Sequence, residues 1–300
     1  MAYSEAEVPS LLGKTALVTG ANTGIGFHTA RVLAARGARV LLGCRDEQKA
    51  SLAIAAICRA APESTVEWVP LDLASLKSIA DAADSIERQH TGLDLLINNA
   101  GVMVPPKTKT EDSFELQFGV NHLGHFALTG RLLPLMARLE GARIVNVSSL
   151  AHRGGVIDFD DLHADQHYSR MKRYQMSKLA NLLHIRLLNQ KLLQSGMAAR
   201  ALASHPGGSN TELGRHIGML RVLFMPLELL MNSASEGALP TLRAATDPMA
   251  EGGDYYGPEG FGEFARGARK VTMDSRVEDA VSADRLWALS EKLTAVNYCF

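Results

Sequence analysis

The stretch Thr15-Ala-Leu-Val-Thr-Gly-Ala-Asn-Thr-Gly-Ile-Gly26 decides the fold of this chain of 300 residues. Its first five residues form a short apolar run typical of a buried strand, and a helical pattern then continues through Arg36 and ends at Gly37. A second apolar run covers residues 38–44. Strand, helix and strand follow one another within about thirty residues, which predicts a β-α-β unit.

Three glycines lie between this first strand and its helix. Gly20 permits the tight turn, Gly24 removes a side chain from the approach of a phosphate, and Gly26 lets the helix pack close to the sheet. Backbone N–H groups and the positive end of the helix dipole meet there, which favours a bound pyrophosphate. A plain strand-to-helix turn rarely needs three glycines in seven residues. We therefore predict a dinucleotide cofactor held by Gly20, Asn22, Thr23, Gly24, Ile25 and Gly26.

The alternation of strands and helices continues along the chain. Further strands are predicted at residues 66–71, 93–98, 143–147 and 198–203, and further helices at 76–88, within 113–138, and at 172–194, 233–245 and 277–293, with a glycine-rich connection at 252–260. This rhythm implies a parallel sheet covered on both faces, with ligands at the carboxyl ends of its strands. We predict one doubly wound α/β domain of the Rossmann type over residues 14–300, preceded by a lead at 1–13.

Composition and charge narrow the class of partner. The 31 basic and 32 acidic side chains nearly cancel, so no overall field attracts nucleic acid or an anionic membrane, and a small molecule is the expected partner. Cys44, Cys58 and Cys299 are too few and too scattered for a disulfide framework, which favours a reducing, cytoplasmic setting. The acidic N-terminus lacks the features of a signal peptide, and no run reaches about eighteen apolar residues, so no transmembrane helix is expected.

The end of the second strand should discriminate NAD(H) from NADP(H), because an acidic side chain there binds the ribose 2′-hydroxyl and repels a 2′-phosphate. Here the strand ends at Gly43-Cys-Arg45, and Asp46 follows. Arg45 can donate two charge-assisted hydrogen bonds to the phosphate, which favours NADP(H). Asp46 keeps NAD(H) as an alternative, and both side chains could equally be solvated at the start of a helix.

Tyr174-Gln-Met-Ser-Lys178 places a phenol and an ammonium four residues apart, on one face of a helix. A tyrosine has an ordinary pKa of about 10, and a nearby ammonium lowers that pKa because it stabilises the anion. The pair therefore suits proton transfer near neutral pH. The spacing alone is also common on solvated helices, so its weight depends on the motifs that precede it.

Five motifs occur in a fixed order, and together they are far more specific than any one of them. They are the glycine turn, Asn98-Asn-Ala-Gly101, Asn121, Ser148-Ser149 and Tyr174-x-x-x-Lys178. With this order of motifs the chain, over residues 14–211, resembles the short-chain dehydrogenase/reductase family. Three longer matches resemble its retinol dehydrogenase-like branch, namely Val120-Asn-His-Leu-Gly-His-Phe126, Ser148-Ser-Leu-Ala-His152 and Ser177-Lys-Leu-Ala-Asn181.

The resemblance implies an oxidoreductase that interconverts an alcohol and a carbonyl by hydride transfer, and its catalytic residues would be Asn121, Ser149, Tyr174 and Lys178. Tyr174 would be the acid/base, and Ser149 would hydrogen-bond the substrate oxygen. Lys178 would bind the nicotinamide ribose hydroxyls and lower the pKa of Tyr174. Asn121 would hold a water that links Lys178 to solvent. The residues alone do not distinguish Ser149 from Ser148, and either could cap the end of the strand.

The same resemblance implies further cofactor contacts. Asp72 and Leu73 would flank the adenine, and Asn99, Ala100 and Gly101 would line the cofactor near the adenosine ribose. Pro206 and Gly207 would belong to the family's cofactor-binding Pro-Gly loop, with Thr211 near the carboxamide. It also implies a homodimer or homotetramer, formed through the long helices near 113–138 and 172–194.

Two segments beside the expected site depart from the simple rhythm. Residues 212–232 fall where this family covers its substrate and are rich in Leu, Val, Phe and Met, so we predict a lid over a mainly apolar substrate. Core packing, a subunit contact and peripheral membrane association are the alternatives for this segment. The polar residues 152–171 lengthen the gap between Ser149 and Tyr174, and we interpret them as a surface excursion beside the site.

Two alternatives to this function come from other classes. One is a catalytically silent NADP(H)-binding regulator or scaffold, which would have no need of Tyr174 together with Lys178. The other is a different reaction on the same fold, such as epimerisation, dehydration or enoyl reduction. A metal is not expected, because His122 and His125 come with neither an H-E-x-x-H pattern nor a third ligand. We predict that both histidines pack inside the fold.

Overall fold

Eight strands form one sheet in the computed structural model, which describes residues 3–208 and 232–300. The strands are β1 (Thr15–Thr19), β2 (Arg39–Cys44), β3 (Val66–Pro70), β4 (Leu95–Asn98), β5 (Arg143–Val147), β6 (Arg200–Ser204), β7 (Tyr255–Gly257) and β8 (Arg269–Lys270). Their order is β3-β2-β1-β4-β5-β6-β7-β8, and every neighbouring pair is parallel except β7 with β8. The strand order reverses beside β1, and open sheets of this kind bind ligands at such a point.

Helices cover both faces of the sheet. They are α1 (Gly24–Ala35), α2 (Glu47–Ala60), α3 (Leu76–Gln89), α4 (Leu116–Phe118), α5 (His125–Met136), α6 (Arg170–Gln194), α7 (Ala234–Thr246) and α8 (Ala280–Thr294), with a π turn at Gly119–Gly124. Side chains alternate along the strands, so Leu17 packs with α3, α5, α6 and α8, whereas its neighbour Val18 packs with α1, α2 and α7. The predicted doubly wound α/β fold is therefore confirmed.

The sequence predicts six of the eight strands to within two residues at each end. It misses β7 and β8, because β7 is three residues long inside the glycine-rich connection and β8 is a pair of charged residues. The helix predicted to fill much of 113–138 is confirmed over residues 116–136, although its first half is not a regular α-helix. There Glu115 caps α4 by accepting the N–H groups of Gln117 and Phe118, and the π turn then separates α4 from α5.

The first described residues pack onto the domain. Tyr3, Val8 and Leu11 are buried in the core that α1 and α7 share. Glu5 pairs with the guanidinium of Arg31 on α1. The lead therefore covers the outer side of that helix layer.

The C-terminal segment covers the two long helices. The hydroxyl of Tyr298 donates to the carbonyl oxygen of Phe126 on α5 at 2.8 Å and lies 3.0 Å from Nε2 of His184 on α6. The ring of Trp287 on α8 packs against Phe126, with ring centroids 5.1 Å apart. The resemblance implies self-association through these two helices. The C-terminal segment of the same chain already covers part of their surface. None of the described helices is long and apolar enough to cross a membrane.

Candidate active site

The carboxyl ends of the parallel strands gather the predicted site residues at one edge of the sheet. Each of the strands β1 to β6 ends immediately before such a residue or within two residues of it: the glycine turn after β1, Arg45 after β2, Asp72 and Leu73 after β3, Asn99 to Gly101 after β4, Ser149 after β5, and Pro206 and Gly207 after β6. Thr211 and all but the last residue of the predicted lid at 212–232 lie outside the described residues.

The glycine turn forms a cradle that side chains would fill. Gly20 has φ +65°, a conformation that favours glycine. A Cβ on Gly26 would lie 2.5 Å from the carbonyl oxygen of Gly20 and from Nδ2 of Asn99, so only glycine fits there. The side chain of Thr23 makes no cap hydrogen bond at the start of α1, whereas Asp46 caps α2. The first N–H groups of α1 can therefore bind an anion, and the turn fits the pyrophosphate of a dinucleotide.

Arg45 and Asp46 have different surroundings at the end of β2. The carboxylate of Asp46 accepts the N–H of Lys49 at 3.0 Å as the cap of α2, and it lies 3.6 Å from the Lys49 ammonium. These contacts hold the pKa of Asp46 below its usual range. Arg45 is exposed and has no hydrogen bond or ion pair to any residue in the part of the chain that the structure describes. Its guanidinium can therefore accept a ligand without breaking an internal contact.

The four predicted catalytic side chains lie close together. Tyr174, Lys178 and Asn121 are buried, and Ser149 is half-buried at the end of β5. The ammonium of Lys178 lies 5.8 Å from the centre of the Tyr174 ring. A Cβ on Gly101 would lie 3.5 Å from that ammonium and 3.2 Å from Oδ1 of Asn121, so both groups flank the segment after β4.

The two serines after β5 differ in what their hydroxyls contact. Ser148 is buried, and its hydroxyl donates to the main-chain carbonyl of Lys178 at 2.8 Å. The hydroxyl oxygen of Ser149 instead accepts the N–H of Ala151 at 3.2 Å, and this hydroxyl lies near enough to Tyr174 to oppose the rise in the pKa of the phenol. Ser149 therefore keeps a hydroxyl proton to donate at the site, whereas the proton of Ser148 is committed.

Burial sets the pKa values of the pair on α6. It raises the pKa of Tyr174 to about 12, against a smaller lowering by the nearby Ser149 hydroxyl. It lowers the pKa of Lys178 to about 8, since no counter-ion among the described residues compensates the buried ammonium. The direction for Tyr174 is opposite to the one that the resemblance implies. The phenol is therefore protonated at neutral pH.

Asn121 lies inside the π turn, not in a regular helix. Its side-chain oxygen accepts the N–H of Val102 at 2.8 Å, and its amide nitrogen donates to the carbonyl of Val102 at 3.0 Å and to the hydroxyl of Ser177 at 3.0 Å. Both N–H donors of the side chain are thus used in holding the chain beyond Gly101 against α6. Single-turn π segments are frequent at functional sites.

A second group of residues beside the site was not predicted from the sequence. Nδ1 of His205 accepts the N–H of Gly207 at 3.2 Å, so its proton is on Nε2, which lies 3.2 Å from Glu263. Arg153 pairs with the same carboxylate at 2.7 Å, and the contacts with His205 and Arg153 lower the pKa of Glu263 to about 2. The position of His205 before Pro206 could have suggested it, but nothing local pairs it with a residue so distant in sequence.

The two histidines around the π turn are buried, as predicted. Nε2 of His122 lies 2.9 Å from the hydroxyl of Ser290, and the ring of His125 contacts Thr19 and Asn121. Burial lowers the pKa of His122 to about 3 and that of His125 to about 4. Over residues 3–208 and 232–300 no group of three or more His, Cys, Asp or Glu side chains is arranged to hold a metal.

The fold and this edge define a nicotinamide-dependent dehydrogenase of the dinucleotide-binding α/β class. The profile of the short chain dehydrogenase family matches residues 14–219, and the chain belongs to that family. Human retinol dehydrogenase 13 is 42% identical over 302 residues, covering 98% of this chain and 87% of that protein. Human retinol dehydrogenase 12 is 41% identical over 288 residues, covering 96% and 88%.

Solved structures show the same architecture. A crystal structure of an uncharacterized protein from Mycobacterium paratuberculosis matches with a TM-score of 0.84 and 39% identity, and it covers 100% of both chains. The active-site complex of Pseudomonas aeruginosa RhlG with NADP matches in fold, with a TM-score of 0.66 and 23% identity over 82% of this chain and 94% of that one. The predicted family and its retinol dehydrogenase-like branch are thus confirmed. The protein is an enzyme that uses a nicotinamide cofactor and acts on the CH–OH group of an alcohol or on the corresponding carbonyl.

Proposed function

We propose that this chain is an NADP(H)-dependent oxidoreductase that interconverts an alcohol with an aldehyde or ketone on a mainly apolar substrate, with Tyr174 as the acid/base. One observation carries the proposal. Asn121 and Lys178 flank Gly101, the Tyr174 ring lies 5.8 Å from the Lys178 ammonium, and Ser149 neighbours Tyr174. This group lies at the edge of the sheet where the glycine turn also lies. Proton-handling groups and a phosphate cradle on one edge support hydride transfer to or from a bound substrate.

The surroundings of Arg45 support NADP(H) over NAD(H). An acidic residue selects NAD(H) when its carboxylate is free to bind the ribose hydroxyls. Asp46 uses its carboxylate as the cap of α2 and as a partner of Lys49. The exposed guanidinium of Arg45 matches a 2′-phosphate in charge and in shape.

The residues of the chain supply the proton and the hydrogen bonds for this reaction. When bound, the nicotinamide supplies or accepts the hydride. Because burial raises the pKa of Tyr174 to about 12, its phenol carries the proton that a carbonyl oxygen needs during reduction. Ser149 can donate its free hydroxyl proton to the same oxygen. The pKa of Lys178, about 8, keeps most of its ammonium charged at neutral pH, beside the segment that would line the ribose.

Exposed apolar side chains on two segments that adjoin predicted site residues support an apolar substrate. Val156 is exposed in the excursion that follows Ser149, and Phe261 is exposed in the turn that carries Glu263. The salt bridge between Arg153 and Glu263 joins these two segments at 2.7 Å. Relatives named retinol dehydrogenases, at 41–42% identity, also support an apolar alcohol or carbonyl.

Assembly into a homodimer or homotetramer stays a prediction. Because α8 and Tyr298 fill part of the surface of α5 and α6, we expect any contact between copies to use another surface.

The test is NADPH consumption by the purified full chain across aldehydes, ketones and quinones. Tyr174→Phe should abolish turnover and leave NADPH affinity, measured by fluorescence titration, near that of the wild type. Tyr168→Phe is the matched control. Tyr168 lies in the excursion, and its hydroxyl donates to the carbonyl of Pro105 at 2.8 Å. Retained turnover in Tyr174→Phe would refute the acid/base role. Wild-type silence across the panel, together with tight NADPH binding, would favour the regulator.

A further inference from the structure

The buried hydroxyl of Thr19, at the carboxyl end of β1, has a fixed direction of hydrogen bonding. Its oxygen accepts the N–H groups of Asn99 and Ala100, each at 2.9 Å. A hydroxyl oxygen has two lone pairs and one proton, so this oxygen has no further acceptor capacity and must donate its proton. The nearer acceptor is Nε2 of His125, at 2.9 Å, since the carbonyl of Ile97 is 3.4 Å away.

This direction determines the tautomer of His125. If Nε2 accepts the Thr19 proton, the ring proton of a neutral imidazole is on Nδ1. Nδ1 lies 3.0 Å from the main-chain carbonyl oxygen of Asn121, which can only accept. Burial lowers the pKa of His125 to about 4, so the ring is neutral at working pH. The bonds therefore run in one direction, from Thr19 to His125 and from His125 to Asn121.

We call these hydrogen bonds, from Thr19 to His125 and from His125 to Asn121, the relay. The relay links two residues that each bind the short segment 99–102, which carries the predicted cofactor contacts. Thr19 binds the start of this segment through the N–H groups of Asn99 and Ala100. Asn121 binds its end through both polar groups of Val102. Only the ring of His125 contacts both Thr19 and Asn121 among the side-chain hydrogen bonds of the described residues.

A comparison with His122 separates this arrangement from ordinary packing. His122 is equally buried, but it uses one ring nitrogen, towards Ser290, and its Nδ1 has no hydrogen-bond partner among the described residues. His125 uses both ring nitrogens, and its two partners, Thr19 and Asn121, both bind the segment 99–102. The backbone N–H of His125 donates to the carbonyl of His122, so within the π turn the ring of His125, and not its amide, approaches the carbonyl of Asn121.

We propose that His125 is a positioning residue for the reaction, whose neutral ring holds the cofactor-facing segment 99–102 in register with Asn121. The role of Asn121 in proton transfer rests on the proposed function. The positioning of segment 99–102 by His125 requires only that this edge of the sheet binds the cofactor. The two arms of the relay can therefore be tested separately.

Three variants of the full chain test the two hydrogen bonds of the His125 ring separately and together. His125→Asn keeps an amide donor near the position of Nδ1, towards Asn121, and loses the acceptor for Thr19. His125→Gln keeps an acceptor near the position of Nε2, towards Thr19, and loses the donor to Asn121. His125→Phe removes both contacts at similar volume. His122→Phe is the matched control, because it loses one hydrogen bond from an equally buried ring on the side of α8.

Each variant is measured for NADPH dissociation constant by fluorescence titration, for kcat on the best carbonyl substrate, and for folded fraction by circular dichroism. His125→Asn should weaken NADPH binding about tenfold with kcat near that of the wild type, since one buried hydrogen bond is lost on the cofactor side. His125→Gln should lower kcat about tenfold with NADPH binding near that of the wild type. His125→Phe should show both losses, and His122→Phe neither once corrected for folded fraction.

Two results would overturn the proposal. One is a His125→Phe variant that matches His122→Phe in both NADPH affinity and kcat. The other is the same profile for His125→Asn and His125→Gln, because a histidine that only fills space has no reason to distinguish them. If no variant, including the wild type, turns over a carbonyl, a higher NADPH dissociation constant in His125→Asn than in His125→Gln still supports the hold on segment 99–102. That result would contradict the proposed reaction and would still support the positioning role of His125.

Discussion

Replacement of Lys178 by methionine should stabilise the folded chain while it abolishes turnover. Lys178 is 3% exposed, and burial lowers its pKa from 10.5 to about 8, so the folded state holds a costly charge at neutral pH. The gap between the two pKa values corresponds to about 3 kcal/mol. The lost hydrogen bond from Nζ to the carbonyl of Val147, at 2.9 Å, offsets about 1 kcal/mol of this. That carbonyl keeps Nδ2 of Asn181 at 3.4 Å, so we expect a net gain of about 2 kcal/mol.

The assay is urea unfolding without cofactor, at a series of pH values, for the wild type, Lys178→Met and the exposed control Lys172→Met. Between about pH 8 and 10.5 the unfolded chain still binds a proton that the folded chain has released. Wild-type stability therefore rises with pH in this window, and the advantage of Lys178→Met should shrink there and be largest below pH 8. A variant less stable than the wild type at pH 7, or a difference that does not change with pH, would refute the cost assigned to the buried ammonium.

Three further predictions follow from the same contacts. Arg45→Ala should weaken NADPH binding about tenfold and leave NADH binding unchanged, as measured by titration with both cofactors; an unchanged ratio would remove the phosphate role. Acidification from pH 7 to pH 5 should cost the folded state about 2 kcal/mol through His125, because the unfolded chain binds a proton there that the buried ring excludes. In urea unfolding at these two pH values, His125→Phe should lessen this loss. Glu263→Gln should speed amide hydrogen exchange at Gly207, because the carboxylate lies 3.2 Å from the ring of His205 that binds that N–H; unchanged exchange would show that the contact does not hold the turn.

The strands that position the site could be predicted because they satisfy local rules. β1 to β6 are apolar runs that end at glycines, at polar residues or before helices, and the phosphate turn is visible as three glycines in seven residues. The π turn at Gly119–Gly124 could not be predicted, since its composition is compatible with a regular helix and only packing selects the wider turn. β7 and β8 are too short to carry a pattern and exist because neighbouring strands offer partners.

The pKa of Tyr174 shows the same limit for the site. Its spacing from Lys178 predicts that an ammonium lies nearby, and the structure has that ammonium 5.8 Å from the ring. The sequence does not reveal how much water the fold removes from each group. Burial raises the pKa of the phenol and lowers that of the ammonium, so the desolvation of both groups outweighs their proximity.

The geometry of the site depends on polar side chains that bind backbone groups around it. Ser148 donates to the carbonyl of Lys178, and the ammonium of Lys178 donates to the carbonyl of Val147, so β5 and α6 are joined by reciprocal bonds of 2.8 and 2.9 Å. Ser177 links the carbonyl of Tyr174 to the side chain of Asn121. Each of these bonds lies in the interior, where breaking one leaves a buried group without a partner. The positions of Ser149 and Tyr174 are therefore held by bonds to backbone groups of β5 and α6, and under the proposed function this would let a carbonyl group meet both hydroxyls without rearrangement of the chain.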